Sequence, residues 1–400
     1  MLNRIAAFIG NFFEHYDHAL FGFLSPFLAP LFFPETEPIV ALIYTFAMLP
    51  LGILSKPLGA IVFGRLGDRI GRKRTFSFTL MGMAVVTGAM GFIPLFQDAS
   101  TPFVWGSFRL LQGFFAAGET TGGAIYVLEK LKEEKRCFWG SLFDASGILG
   151  ILAASGAVSL AFYWKISYCW LFWAGSLTGA IGAFVHLSAD EPWIKKESSK
   201  TFRSLWAHKK PLAEIALVAG FSYANYYLLA TFMNGFLPLA GIISKTEAIE
   251  MNTLLLIGDL ILLPLFGFLG EKIGKEKLMI GALILASIAI VPLFSLAEEA
   301  NYFSALTIRM SLTCIGVALA APYHAWAIER APKEHRYLIG AVGATIGSRL
   351  IGAPAPAISL WLYQKTGLAE MAATPTLIMA LLALFALVPK PILKIAVTKK

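Results

Sequence analysis

Charge is scarce in this chain. Of its 400 residues only 14% are Asp, Glu, Lys or Arg, where an average soluble domain carries about 25%. Cysteine is scarcer still: Cys137, Cys169 and Cys314 form no CxxC pair and no metal-ligand cluster. That excludes a disulfide scaffold and a thiolate metal site, and the three read as small apolar fillers. No P-loop or other nucleotide motif occurs, so direct use of ATP is excluded. No nucleophile–base constellation occurs either, which argues against a membrane enzyme. The formal net charge is +8, but no basic face is interleaved with exposed aromatics, so no nucleic-acid partner is expected. The first apolar run is interrupted by Glu14 and Asp17 and lacks an A-x-A-like cleavage site, so it reads as a span and not a signal peptide.

What the chain has in abundance is apolar sequence. It is 57% hydrophobic, with a mean hydropathy of +0.69. Apolar runs of membrane-crossing length fall near 5–31, 38–63, 75–96, 102–128, 138–162 and 167–187, then near 212–237, 251–269, 278–296, 302–328, 337–363 and 372–389. Twelve spans put both termini on one side. Lys56, Arg109, Arg309 and Arg349 lie within spans, and the loops of one side hold only Lys165, Lys245 and Lys365. Every other Lys and Arg falls on the opposite side, which by the positive-inside rule is cytoplasmic and holds both termini. The longest polar stretch, 188–211, is expected to be a cytoplasmic linker between an N-terminal six-helix half, 1–187, and a C-terminal one, 212–400.

Internal duplication supports that division. Gly64-Arg65-Leu66-Gly67-Asp68-Arg69-Ile70-Gly71-Arg72-Lys73-Arg74 returns 203 residues later as Gly267-Phe268-Leu269-Gly270-Glu271-Lys272-Ile273-Gly274-Lys275-Glu276-Lys277. Five of the eleven positions are identical and four more keep their sign of charge. The glycines at i, i+3 and i+7 would lie along one stripe of a helix and admit a second backbone. Glu129, Arg136, Gly140 and Gly147 recur as Glu329, Arg336, Gly340 and Gly347, and Arg109 as Arg309, at an offset of 200. A parallel repeat of two six-span halves is a transporter architecture, with the substrate site near mid-membrane.

These residues resemble the major facilitator superfamily, whose signature loop between spans two and three is matched by Gly64 to Arg74. Within it the chain resembles the metabolite–proton symporters, which include proline/betaine, oxoglutarate, citrate and shikimate carriers. Asn11-Phe12-Phe13-Glu14-His15-Tyr16-Asp17 is similar to their first-span E-W-Y-D, and Lys56-Pro57-Leu58-Gly59 to their R-P-L-G. Arg109-Leu110-Leu111-Gln112-Gly113 with Gly118-Glu119 is similar to R-L-L-Q-G…G-E, and Trp164-Lys165-Ile166 to W-R-I-P-F. The chain departs from the pattern at His15 and His18, at Thr120-Thr121 after Glu119, and at Phe143-Asp144-Ala145. The resemblance implies an all-α membrane protein of the major facilitator fold, with twelve helices in two pseudo-symmetric halves. It also implies a monomer in a bacterial cytoplasmic (inner) membrane, with a small-molecule substrate, protons and the lipid bilayer as its partners. The proton gradient would be the energy source, without a cofactor.

Ionisable groups inside a bilayer are costly, so each is a functional candidate. Asp17 lies about 18 Å into its span at 1.5 Å per residue, and shares a helical face with Glu14 and His18. The resemblance makes Asp17 facing Arg109 the proton-coupling pair, with Glu14 and Glu119 as further titrating candidates. A carboxylate beside Arg⁺ stays ionised and binds a proton more readily when the partner withdraws, which makes proton affinity depend on conformation. Lys56 is expected to snorkel to the surface. Candidate substrate contacts are Tyr16, His18, Gln112, Asn225, Tyr226, Tyr323 and His324. The resemblance makes Gly64, Gly67, Asp68, Arg69, Gly71 and Arg72 a gate that favours the outward-open state through charge pairs. The expected function is proton-coupled import of a small organic acid or zwitterion by alternating access; the alternative is a proton-coupled antiporter exporting a drug or metabolite.

Overall fold

The computed structural model describes residues 2–35, 45, 51–92, 101–117, 120–129, 131–188, 205–297, 301–333 and 335–388. Every regular element among them is helical, as lipid demands of a chain whose backbone polar groups find no water. Seven described stretches are long and apolar enough to cross a membrane: Glu133–Tyr163, Lys209–Pro238, Glu247–Ile273, Lys275–Ser295, Tyr302–Arg330, Leu338–Thr366 and Ala369–Leu387. Their outward faces are apolar too. Phe103, Ile261, Ile288 and Phe385 are all exposed, a surface suited to acyl chains and not to water. The chain is a multi-pass membrane protein.

Contacts divide the chain into two units, residues 1–130 with 143–207 and 332–342, and residues 131–142 with 208–331 and 343–400. The first is built from α1 (Leu2–Phe32), α2 (Leu51–Ile70), α3 (Arg72–Met90), α4 (Thr101–Ala116), α5 (Thr120–Glu129), most of α6 (Arg136–Tyr163) and α7 (Cys169–Ser188). Here α2 packs on α4, and α7 on both α1 and α3. Small residues set the α2–α4 approach: a Cβ at Gly113 would overlap the Gly52 carbonyl, and one at Gly59 the Phe114 carbonyl. The apolar core of this unit surrounds α1, with Leu20, Phe21, Leu24 and Leu28 against Trp105 and Phe172.

The second unit holds α8 (Lys209–Tyr227), α9 (Met233–Leu239), α10 (Lys245–Ile273), α11 (Lys275–Ser295), α12 (Tyr302–Arg330), the end of α13 (Arg336–Thr345), α14 (Ala355–Thr366) and α15 (Ala369–Leu387). Capping boxes start two of these: Ser244 with Glu247 before α10, and Asn301 with Ser304 before α12. Two of the apolar runs are not continuous α-helix. Leu228–Phe232 and Ile346–Gly352 are π-helical, and Ile346–Gly352 packs on α8. A Cβ at Gly347 or Gly352 would run into α8 at Ala216 and Tyr223, so glycine permits that contact. π-turns widen a helix locally and occur disproportionately at functional sites.

Two local expectations are corrected. Gly64 and Gly67 lie on α2, with a Cβ at Gly64 placed 3.2 Å from Leu338, but Gly71 is outside any helix. Its φ of 94° ends α2 and admits α3. Gly274, 203 residues on, has a φ of 96° between α10 and α11. The third glycine of the stripe is therefore needed for backbone conformation, not helix packing. Lys56, expected to snorkel, is buried: α2 runs on to Ile70, leaving Lys56 about 21 Å from its end.

The offset-200 echo also acquires a structural meaning. Within the first unit Arg336 lies 3.8 Å from Glu129, and within the second Arg136 lies 3.3 Å from Glu329, which also pairs with Lys275. Each arginine is matched with the glutamate of the other copy.

An alanine at Gly71 must adopt a backbone region that is essentially glycine-only, at a cost of about 1–3 kcal/mol. Gly71→Ala should lower the unfolding midpoint of the detergent-solubilised protein, whereas Gly235→Ala, with open space at its Cβ, should leave it within experimental error. Equal midpoints for the two variants would contradict the assignment.

Candidate functional site

In the first unit Asn11, Glu14 and Asp17 of α1 are each met by a different helix. Asn11 donates to the Phe143 carbonyl at 2.7 Å and to Ser146 Oγ at 3.0 Å, both on α6. Glu14 accepts from Lys56 Nζ of α2 at 3.3 Å, with both side chains buried. His15 lies 2.8 Å from the Asn11 carbonyl through Nδ1, with its ring beside Gly147. Asp17, midway along α1, accepts from Thr87 Oγ1 of α3 at 2.8 Å.

Arg109 completes the arrangement from α4. It is 1% exposed, donates from Nη1 to Gln112 Oε1 at 2.8 Å, and stacks over the Phe21 ring at 4.7 Å. Gln112 donates in turn to Thr87 Oγ1 at 3.0 Å. The order is Arg109, Gln112, Thr87, Asp17: a chain of hydrogen bonds from three helices that joins the cation to the carboxylate. The expected pair is thus bridged by two neutral side chains and not joined by a direct hydrogen bond. The chain is incomplete at both ends, because Asp17 Oδ1 and Arg109 Nε and Nη2 are buried without a hydrogen-bond partner. Gly175 of α7 makes room for Asp17, since a Cβ there would stand 2.5 Å from Oδ1.

The second unit carries its own polar set. Arg309, fully buried on α12, donates to the Leu229 carbonyl at 2.8 Å and to Asn252 Oδ1 at 3.3 Å. The carbonyl belongs to the π-helical segment Leu228–Phe232. Asn225 donates to the Leu312 carbonyl at 3.3 Å. Arg349, from the second π segment, donates to the Tyr227 hydroxyl at 2.9 Å and lies 5.8 Å from the Tyr223 ring centre. Tyr226 is edge-on to Tyr227, and Asp259 stands midway along α10.

Of the residues anticipated from sequence, Glu14, Asp17, Arg109 and Gln112 come together within the first unit. Tyr16 sits in the apolar core beside them. Asn225 and Tyr226 lie on α8, Tyr323 and His324 on α12 with their rings 5.3 Å apart. Gly64 and Gly67 are buried and Arg69 is exposed. Glu119 and the side chains of His18, Asp68 and Arg72 lie outside the described residues. Three participants were not anticipated. Thr87 and Gly175 carry no signal, being ordinary small residues of apolar runs. Asp259 did carry one: it is the only ionisable residue between Met251 and Leu269.

The sequence profile of the Major Facilitator Superfamily matches residues 7–242 and 215–397, covering nearly the whole chain. The chain belongs to that superfamily. This facilitator is 27% identical over 413 residues to the glycine betaine/proline/ectoine/pipecolic acid transporter OusA of Dickeya dadantii, covering 95% of this chain and 81% of the relative. It is 28% identical over 424 residues to a proline/betaine transporter of Salmonella typhimurium, with the same coverage of 95% and 81%. The shikimate transporter of Escherichia coli is 25% identical over 322 residues, 75% of this chain and 73% of that one. Among solved structures, the proton:xylose symporter XylE bound to 6-bromo-6-deoxy-D-glucose superposes with a TM-score of 0.75 over 96% of this chain and 94% of that chain, at 14% identity. That likeness concerns the fold. The facilitator is a membrane transporter and not an enzyme.

Thr87 is the joint of the chain, since it alone touches both Gln112 and Asp17. Thr87→Val keeps the shape and removes the hydroxyl, leaving buried polar atoms unsatisfied at about 1–3 kcal/mol. Solute accumulation by the valine variant in vesicles should fall at least tenfold, and Thr87→Ser should restore most of it. Full accumulation by the valine variant would show that the bridge has no role.

Proposed function

We propose that this facilitator is a proton-coupled symporter that imports a small organic acid or zwitterion by alternating access. The observation that carries the proposal is the buried chain from Arg109 through Gln112 and Thr87 to Asp17, with a spare carboxylate oxygen at one end and spare guanidinium donors at the other. A carboxylate and a cation held a bridge apart in a low-dielectric interior form a poised pair. Closing the gap favours the ionised carboxylate; widening it favours protonation. If the two transport states differ in that separation, proton binding and conformation are thermodynamically linked.

The relatives support the substrate class by their names, which specify proline, betaine, ectoine and shikimate. All are small solutes bearing a carboxylate. Arg109, with two donors unspent, matches such a group in charge and geometry. Glu14 has a different role in this scheme: its pairing with Lys56 neutralises both charges and holds α1 against α2. The distribution of Lys and Arg supports cytoplasmic termini in a bacterial inner membrane. The energy source is the proton gradient, without a bound cofactor, and the working unit is the monomer. The motif Gly64 to Arg74 serves as a gate, with its chemistry in charge pairing and not in substrate contact.

Asp17→Asn tests the assignment. In proteoliposomes with an imposed proton gradient it should abolish uphill uptake while retaining solute exchange. Full proton-driven accumulation by the variant would remove Asp17 from the coupling step. Accumulation only in inside-out vesicles under an inward proton flux would show an exporter instead.

A further inference from the structure

Two of the three lysines in the cation-poor loops are related by the internal repeat. Tyr163 and Lys165 recur at the offset of 200 as Tyr363 and Lys365. The charge bias keeps nearly every other cation out of those loops, so a lysine retained in both copies has a reason of its own. Neither takes part in the chain from Arg109 to Asp17.

Helix length sets their depth. α6 runs 28 residues from Arg136 to Tyr163, about 42 Å, and Leu338–Thr366 is of similar length at 29 residues. A bilayer with its headgroups is about 40–45 Å thick, so each lysine emerges at the level of the lipid phosphates.

The first corner has an unfavourable backbone. The N–H groups of Trp164, Lys165 and Ile166 donate to the carbonyls of Leu160, Phe162 and Ala161 at 2.9, 3.2 and 2.8 Å. The last two bonds are those of a Schellman ending, whose left-handed residue is usually glycine. Here that residue is Lys165, with a φ of 55°, the one non-glycine residue at positive φ among those described. At the second corner Gly367 takes the left-handed conformation, with a φ of 70°, and Lys365 stays on α14. Glycine would suit the first turn better than lysine, so the side chain and not the backbone accounts for Lys165.

The surroundings specify the ligand. Both lysines are exposed, and neither forms an ion pair with the described residues. Tyr163 and Trp164, which precede Lys165, are 81% and 63% exposed. Across the turn the exposed Trp170 lies edge-on to Trp173 at 5.1 Å. Trp361, one turn before Lys365 on α14, is 56% exposed. Tyrosine and tryptophan rings settle at headgroup depth, where an ammonium beside them meets phosphate oxygens. Lys245 provides the contrast: it opens α10, has no aromatic residue within five positions, and no lysine stands 200 or 203 residues before it.

We propose that the Lys165 and Lys365 corners are two binding sites for anionic phospholipid. The ammonium holds the headgroup phosphate, and the exposed rings lie against the glycerol and upper acyl region.

Native mass spectrometry of the full chain in detergent tests this. The protein is titrated with phosphatidylglycerol, or with phosphatidylethanolamine of the same acyl chains. Lys165→Gln and Lys365→Gln should each weaken one phosphatidylglycerol site about fivefold, the effect of one lysine at an anionic surface. The double variant should weaken two, with phosphatidylethanolamine binding unchanged throughout. Lys165→Arg should retain the site. Lys165→Gly should weaken it while keeping or raising the unfolding midpoint, which separates lipid binding from folding. Lys245→Gln should bind both lipids as wild type does. Unchanged phosphatidylglycerol binding in the double variant overturns the proposal. So does an equal loss in Lys245→Gln, or an equal loss of phosphatidylethanolamine. A raised solute KM in vesicles with lipid binding intact also overturns it, and would place the lysines on the entry path of the solute.

Discussion

A charge inside a bilayer must be answered from within the protein, and the rest of this structure follows from how each one is answered. Desolvating an ion costs several kcal/mol even after relaxation, so helices that carry charges are constrained to lie where countercharges or hydrogen bonds wait. The first unit shows the constraint met in full and in part. Glu14 and Lys56 neutralise each other and fix α1 on α2. Asp17 and Arg109 are joined only through Thr87 and Gln112. The close glycine contact between α2 and α4 and the space left by Gly175 bring these groups within reach. Full neutralisation builds scaffold; partial neutralisation leaves capacity to respond to a proton or a solute.

Duplication explains why scaffold and function separate so clearly. The two copies keep the backbone device that ends a helix, with φ of 94° at Gly71 and 96° at Gly274. They keep the arginines at 109 and 309, both buried. They diverge in what surrounds those arginines: a glutamine and a threonine in one unit, a π-turn carbonyl and an asparagine in the other. They diverge most at Lys56 and Asp259, where the sign of the charge is inverted. A common frame thus carries two different electrostatic environments.

Much of this was readable before any coordinates. Long apolar runs, one-sided Lys and Arg, and the repeated glycine motif are global signals that no local context overrides, so fold and family followed from them. Asp17, Arg109 and Gln112 were identifiable because charge and amide groups are rare inside spans. What escaped notice has physical reasons. Thr87 is invisible because a threonine in a helix can satisfy itself on the preceding turn, and only its neighbours recruit it. Lys56 misled because its helix outlasts the apolar run by seven residues, from Phe63 to Ile70, so a cation near the end of the run lies deep in the helix. The third glycine of the stripe misled because spacing cannot distinguish a packing glycine from one that needs positive φ. The π-turns have no sequence signature at all, yet one carries the carbonyl that Arg309 uses.

The central claim is that solute and protons move together and in the same direction. Recording external pH while solute is added to de-energised, weakly buffered proteoliposomes tests it without any mutation. The account predicts a transient alkalinisation on adding glycine betaine or proline, abolished by a protonophore. Acidification, or solute entry with no change in pH, would contradict it.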